Sequence, residues 1–369
     1  PPVPTKLYGI RHFGLGGPPC ASQSCIPEGF DSSGHLLDYL DLSSAFALVV
    51  RYDTHTHRFL PGWEPAAEMG RMFPSPLGDE WEIEGQMDFL LPVRVRFPRA
   101  DCARQCRYDF LSAKPRPRYG EINDLTIDRR GNAWIAGWNT QYPGWDSVAK
   151  QHQPGLPLDI PRGRSVVYYA TDTSTHLKKI FVPAPAPVTG ITVAPNGLIW
   201  LTDPYHYCLV RGGRRRCSPP MLLSYDPATR TFNKYAMPRG VLPHLCMHIF
   251  VTKCNTYLST PMTVARDGSL WIAVPARGSD YYSPQVVRLI HFRSGAFTSY
   301  RLALNPSPLT RPIIGRSGNV WLTGRNGHPI VFQPSSGKRF CLREHGGYLV
   351  QDHHSRIWYV FAASKRSGG

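Results

Sequence analysis

Acidic residues are scarce in this chain, and that shortage sets its electrostatics. Across 369 residues, 26 Asp and Glu stand against 42 Lys and Arg, a formal charge of +16, although charged residues make up only 18%. Such a surface attracts polyanions, and salt weakens the attraction. No apolar run approaches the roughly 18 residues that a membrane span needs, so no membrane span is expected. No leader segment is visible, and the opening Pro1-Pro2-Val3-Pro4 reads as that of a processed product. Neither CxxC spacing nor a Cys/His zinc pattern is present, which argues against thiolate metal binding. There is no G-x-S-x-G elbow and no phosphate-binding glycine loop. The Asn305-Pro306-Ser307 tripeptide is blocked by its proline, so N-glycosylation is not expected. His244 and His248 are four apart, but no Glu follows His244 and Cys246 lies between them.

What is abundant points elsewhere. Hydrophobic residues reach 42%, enough for a substantial core. The 33 Gly and 36 Pro are spread along the whole chain, which suits many short strands joined by turns. Eight of the nine cysteines fall into close pairs: Cys20 with Cys25, Cys102 with Cys106, Cys208 with Cys217, and Cys246 with Cys254. Four local disulfides in a secreted, extracellular or otherwise oxidising setting are expected, near-neighbour pairing being an assumption. Cys341 is left over, either buried and free or paired with another chain.

A repeat organises the chain. DLTIDRRGNAWIAGW (124–138), GITVAPNGLIWLTDP (190–204) and PMTVARDGSLWIAVP (261–275) share a short β-like run, a polar turn, Gly, two residues, Trp, then more apolar residues. PIIGRSGNVWLTG (312–324), the degenerate LVQDHHSRIWYVF (349–361) and EGFDSSGHLLDYLD (28–41) follow it; LGDEW (77–81) is a poor seventh candidate. Leu37, Trp81, Trp134, Trp200, Trp271, Trp321 and Trp358 then take equivalent positions at spacings of 44, 53, 66, 71, 50 and 37, near the unit size of a four-stranded blade. A second hairpin follows, as in LLSYDPATRTFNKY (222–235). The expectation is an all-β chain: one closed β-propeller spanning 1–369, with seven blades, or six if LGDEW is spurious. Blade starts fall near 28–41, 77–91, 122–137, 189–203, 259–274, 311–324 and 348–361. LYGIRHF (7–13) reads as an unpartnered strand that closes the ring against the last blade, removing exposed edges.

Length variation falls on one face, in connections near 138–165, 204–220, 237–259 and 275–285, where cysteine pairs brace loops too long to order themselves. These loops hold Arg211, Arg214, Arg215 and Arg216 beside Trp138, Tyr142, Trp145, Tyr205, Tyr207, Tyr281 and Tyr282. Arginine forks beside aromatic platforms suit anionic or sugar-like ligands.

The blade signature resembles a superfamily of propellers: gluconolactonase/regucalcin-like hydrolases, streptogramin lyases and NHL-repeat proteins. In the hydrolases a divalent ion, calcium, sits at the channel mouth, held from the starts of the innermost strands. The resemblance implies Glu28 and Asn123 as metal ligands, and Glu28, Asn123 and Asp124 as catalytic positions. Thr189-Gly190 replaces the expected Asn-Gly, and Thr260-Pro261 replaces the expected Asp-Gly. The lyases' Glu-x-His pair is absent from the strand starts. Beyond calcium no cofactor is expected. Two functions follow from different classes. One is an extracellular, non-catalytic binding or assembly module whose loop face holds an anionic glycan, a protein partner or another copy of itself. The alternative is a metal-dependent lactonase or esterase at the channel mouth. Nucleic acid is disfavoured, because the cysteine pairs argue for an oxidising compartment.

Overall fold

Alternating apolar residues around Gly-x-x-Trp turns form short antiparallel strands throughout the described chain. The structure is a computed structural model, and it describes residues 8–12, 25–43, 46–56, 58–60, 64–66, 71–76, 80–86, 89–96, 107–110, 112–113, 119–140, 163–171, 173–174, 176–184, 188–203, 207–211, 214–238, 260–275, 286–302, 311–324, 327–343, 347–352 and 354–362. No helix among them is long and apolar enough to cross a membrane. They fall into two compact units, one of residues 1–86, 91–110 and 313–369, the other of 87–90 and 111–312.

In the first unit, β1 (Tyr8–His12) precedes a sheet of β2 (Cys25–Phe30), β3 (His35–Ser43), β4 (Phe46–Asp53) and β5 (Arg58–Phe59), with β6 (Glu64–Ala66) also pairing β4. The next sheet is β7 (Arg71–Pro74), β8 (Glu80–Gln86), β9 (Phe89–Arg96) and β10 (Arg107–Phe110). In the second unit, β11 (Ser112–Ala113) flanks the sheet of β12 (Tyr119–Ile127), β13 (Ala133–Thr140), β14 (Gly163–Ala170) and β15 (His176–Phe181). Then come β16 (Gly190–Val193) and β17 (Ile199–Asp203), a separate ribbon of β18 (Tyr207–Arg211) and β19 (Arg214–Ser218), and β20 (Met221–Asp226) and β21 (Thr231–Ala236), which complete the sheet of β16 and β17. The sheet of β22 (Met262–Val264), β23 (Leu270–Pro275), β24 (Val286–Arg293) and β25 (Ala296–Arg301) follows. The first unit resumes with β26 (Ile313–Ile314), β27 (Val320–Thr323), β28 (Pro329–Gln333) and β29 (Lys338–Cys341), then β30 (Gly347–Gln351) and β31 (Ile357–Ala362).

This is an all-β propeller architecture, but the number of complete blades differs from the expected seven or six. Among the described residues five sheets have the full form, four antiparallel strands with Trp81, Trp134, Trp200, Trp271 or Trp321 on the second. Two sheets depart from it. The first carries Leu37 in place of Trp and a two-residue outer strand, β5. The last has two antiparallel strands, β30 and β31, and β1 joins it in parallel, Tyr8 opposite Trp358. β1 thus takes the place of a third strand beside β31 but runs parallel to it, whereas a regular third blade strand runs antiparallel to the second.

Burial follows strand order. The second strands β17 and β27 are buried along their length, whereas the outer strands β21 and β25 expose most residues. The tryptophans fill the gaps between sheets. Trp134 packs with Val167, Ile191, Leu201 and Tyr225. Trp200 packs with Leu222, Leu270, Ile272 and Phe292. In the first unit, Trp358 packs with Phe30, Leu36 and Tyr52, bringing the last sheet against the first.

The turns before Trp134, Trp200, Trp271, Trp321 and Trp358 are each built on a residue with positive φ, which glycine adopts without strain. Gly131, Gly197, Gly268 and Gly318 lie at φ 77°, 86°, 80° and 78°, but Ser355 holds the same place at 57°. Asp352 offsets part of that cost: its carboxylate accepts the amides of His354 (2.9 Å) and Arg356 (2.8 Å) and the indole N–H of Trp358 (2.9 Å). Ser355→Gly is expected to raise stability by about 1 kcal/mol, the usual penalty of a left-handed conformation, read as a higher Tm. An unchanged or lower Tm contradicts the strain.

Tyr168 on β14 is buried, and its hydroxyl has no hydrogen-bond partner among the described residues. Burial raises its pKa to about 12. Because the folded state favours the neutral phenol, its contribution is complete below about pH 10 and is lost as pH rises toward about 12. Tyr168→Phe is expected to flatten the alkaline loss of stability and to leave stability at pH 7 equal or slightly higher. Denaturant unfolding at both pH values checks this.

Candidate functional site

The starts of the innermost strands in the second unit are closed by their own side chains. β12 packs beside β16, and β16 beside β22. Asp124 on β12 is 1% exposed, with both carboxylate oxygens engaged. Oδ1 accepts the Leu125 amide (3.0 Å) and the Arg311 guanidinium (2.7 Å), and Oδ2 accepts the Ile191 amide of β16 (3.0 Å). Arg311 also donates to the Leu125 carbonyl (2.7 Å). The next residue is fastened as well, since the Thr263 hydroxyl on β22 donates to the Pro312 carbonyl (2.5 Å). The Arg311-Pro312 segment is therefore tied to β12 at one point and to β22 at another.

Beside it lies a buried hydroxyl network. The Thr189 and Thr260 hydroxyls are 2.8 Å apart, Thr202 bonds to the same Thr260 hydroxyl, and all three residues are buried. Gly190 is required here: a Cβ on it would lie 2.3 Å from the Thr260 carbonyl oxygen and 2.7 Å from the Thr202 hydroxyl. Thr189 and Thr260, at the positions where the resemblance implied ligands, bond to each other.

The other implied ligands occupy corresponding backbone positions in different sheets. Glu28 falls at the register shift of β2, between Pro27 and Gly29, and Asn123 at that of β12, between Ile122 and Asp124. Such bulges redirect a residue; the side chains of Glu28 and Asn123 lie outside the described residues. Among the described residues no group of three or more His, Cys, Asp or Glu could hold a metal ion.

Of the loop-face residues, Trp138 pairs with Glu121 and Ser165 in the ladder of β12–β14. Tyr142, Trp145, Tyr205, Tyr281 and Tyr282 lie outside the described residues. Tyr207, Arg211, Arg214, Arg215 and Arg216 are strand residues of the β18–β19 ribbon, in which Cys208 stands directly opposite Cys217. Cys20, Cys102, Cys106, Cys246 and Cys254 lie outside the described residues, as do the sulfur of Cys25 and those of Cys208 and Cys217. Cys341 is a free, exposed thiol, which removes the buried alternative.

Sequence reasoning missed Arg311, although a signal was present. Counting back ten residues from Trp134 and Trp321 reaches Asp124 and Arg311, the same repeat position carrying opposite charges.

No protein-family profile matches this chain, and no curated protein matches it in sequence. Solved structures do. The chain is similar to a catalytically inactive virginiamycin B lyase from Staphylococcus aureus, solved with quinupristin, at 11% identity over 89% of this chain and 88% of that one, with TM-score 0.53. It is also similar to a gluconolactonase from Xanthomonas campestris, at 13% identity over 83% and 85%, with TM-score 0.42. The class of protein is thus an all-β propeller with the fold of a streptogramin lyase. At such identity the likeness extends to the fold alone.

Proposed function

We propose that this chain is a non-catalytic binding module of an oxidising, extracellular setting, whose inserted loops hold an anionic glycan. The observation that carries it is the Arg311–Asp124 pair. A hard cation wants several oxygens including carboxylates, and here the carboxylate at the inner strand start already faces a guanidinium at 2.7 Å. The neighbouring Thr189 and Thr260 hydroxyls bond to one another. These donors do not fit a divalent ion. The likeness to a lyase keeps chemistry at this mouth as the rival reading.

Binding then belongs to the inserted segments, which a rigid scaffold positions and which carry much of the excess positive charge. Cys208 and Cys217 stand directly opposite each other, a register that suits a disulfide and with it an oxidising setting. The β1–β31 pairing is proposed as the seam of a closed ring. The test is the affinity of the full chain for a sulfated oligosaccharide at rising salt. Binding that weakens steadily with salt supports the proposal. Turnover of lactones or esters without such binding overturns it, and tighter binding to an acidic protein or to a second copy replaces the glycan with that partner.

A further inference from the structure

The register of the β18–β19 ribbon sorts its arginines. Opposed residues of an antiparallel pair share a face, and faces alternate along the strand. The pairs run Tyr207–Ser218, Cys208–Cys217, Leu209–Arg216, Val210–Arg215 and Arg211–Arg214. One face therefore holds Arg211, Arg214 and Arg216 with Tyr207 and Leu209. The other holds Arg215 with Val210 and the two cysteines. Four arginines that look like one cluster in sequence divide three to one.

Spacing on the first face is set by strand geometry. Arg211 and Arg214 are directly opposed, about 5 Å apart, and Arg216 follows about 7 Å further along its strand. Gly212 and Gly213 alone separate the opposed pair in sequence, the length and composition of a two-residue hairpin connection. The cysteine register fits the same picture. Directly opposed Cα atoms stand about 4.5–5.5 Å apart, inside the range of about 4.4–6.8 Å that a disulfide bridges. A covalent rung there would prevent the strands from slipping, and a slip of one residue would move every side chain to the other face. In chain order the ribbon lies between β17 and β20, which pair directly with each other, and it forms a sheet of its own.

We infer that the β18–β19 ribbon is the anion-reading arm of this propeller, taking closely spaced sulfate or carboxylate groups of a glycan on Arg211, Arg214 and Arg216, with Cys208–Cys217 holding the register. This rests on the binding reading above and deepens it. Guanidinium forks bind such oxyanions through paired, charge-assisted hydrogen bonds, and Tyr207 adds a ring on which a sugar face stacks.

The test compares Arg211→Ala/Arg214→Ala/Arg216→Ala, Arg214→Ala, Arg215→Ala and Cys208→Ser/Cys217→Ser in the full chain, with a sulfated oligosaccharide as probe and thermal unfolding as the check on folding. The triple variant is expected to lose about a hundredfold in affinity with most of its salt dependence. Arg215→Ala is expected to stay within about twofold, as a charge off the binding face does. The double serine variant is expected to lose about tenfold at unchanged Tm, with intact-mass analysis of the parent finding the bridge. If Arg215→Ala costs as much as Arg214→Ala alone, the register argument is overturned while glycan binding stands. If the parent does not bind the probe even at low salt, the functional proposal fails and this inference with it. A single-stranded RNA held more tightly, with the same arginine ranking, overturns the choice of glycan and keeps the arm.

Discussion

Arg311→Ala is expected to destabilise the protein by about 3 kcal/mol, the cost of leaving a buried carboxylate without its counter-ion. Asp124 is 1% exposed, and its carboxylate also accepts the amides of Leu125 and Ile191. Amide donors are neutral and do not replace the charge of a lost guanidinium. Arg311 is itself 26% exposed, which places the loss at the lower end for such pairs. Replacing both partners tests the explanation: Arg311→Met with Asp124→Asn is expected to recover much of the loss, since the residual penalty is then for a neutral amide. A small effect of Arg311→Ala, or a double variant worse than the single, contradicts it. Denaturant unfolding of the four chains gives the coupling directly.

Trp200→Ala is expected to cost more, about 3–5 kcal/mol, as for large aromatic-to-alanine changes in cores. The indole is 7% exposed and sits between two sheets. Its ring centroid is 5.4 Å from Phe292 and 5.7 Å from Tyr235. Its loss removes apolar burial and leaves a cavity lined by Leu222, Leu270 and Ile272, which belong to strands pinned by their own ladders. Trp200→Phe retains part of the ring contact and is expected to lose about half as much. A Tm drop in Trp200→Ala no larger than that of an exposed substitution such as Lys234→Ala contradicts the role of this residue as the filler between sheets.

The fold was legible because each blade carries its own local signal. Gly-x-x-Trp turns announced the hairpins around Gly131, Gly197, Gly268 and Gly318, and each of these glycines has positive φ in the structure. Second hairpins such as 222–235 form as their alternation indicates. Even the weak LGDEW segment leads to a fully buried Trp81 in a four-stranded sheet. The blade count was less legible. Leu37 takes a Trp place in a sheet whose outer strand β5 has only two residues, and the direction of the β1–β31 pairing depends on the path of the chain, which local pattern does not encode.

The site was legible only in part. Asp124 was singled out as a reactive carboxylate, but its partner lies 187 positions away and nothing near it in sequence shows that the two meet. Thr189 and Thr260 were visible as replacements, not as a bonded pair, because that contact depends on the space left by Gly190. The arginines near 211–216 were read as loop residues; their division between two faces emerges only with the register of β18 and β19.

The central claim is that the carboxylate at the inner strand start is committed to Arg311 and not to a metal-dependent reaction. Calorimetric titration of the full chain with calcium, beside Asp124→Asn, tests it most directly. The account predicts the same weak, salt-like heats from both chains. Stoichiometric calcium binding to the parent that disappears in Asp124→Asn would contradict it and return the mouth of the propeller to catalysis.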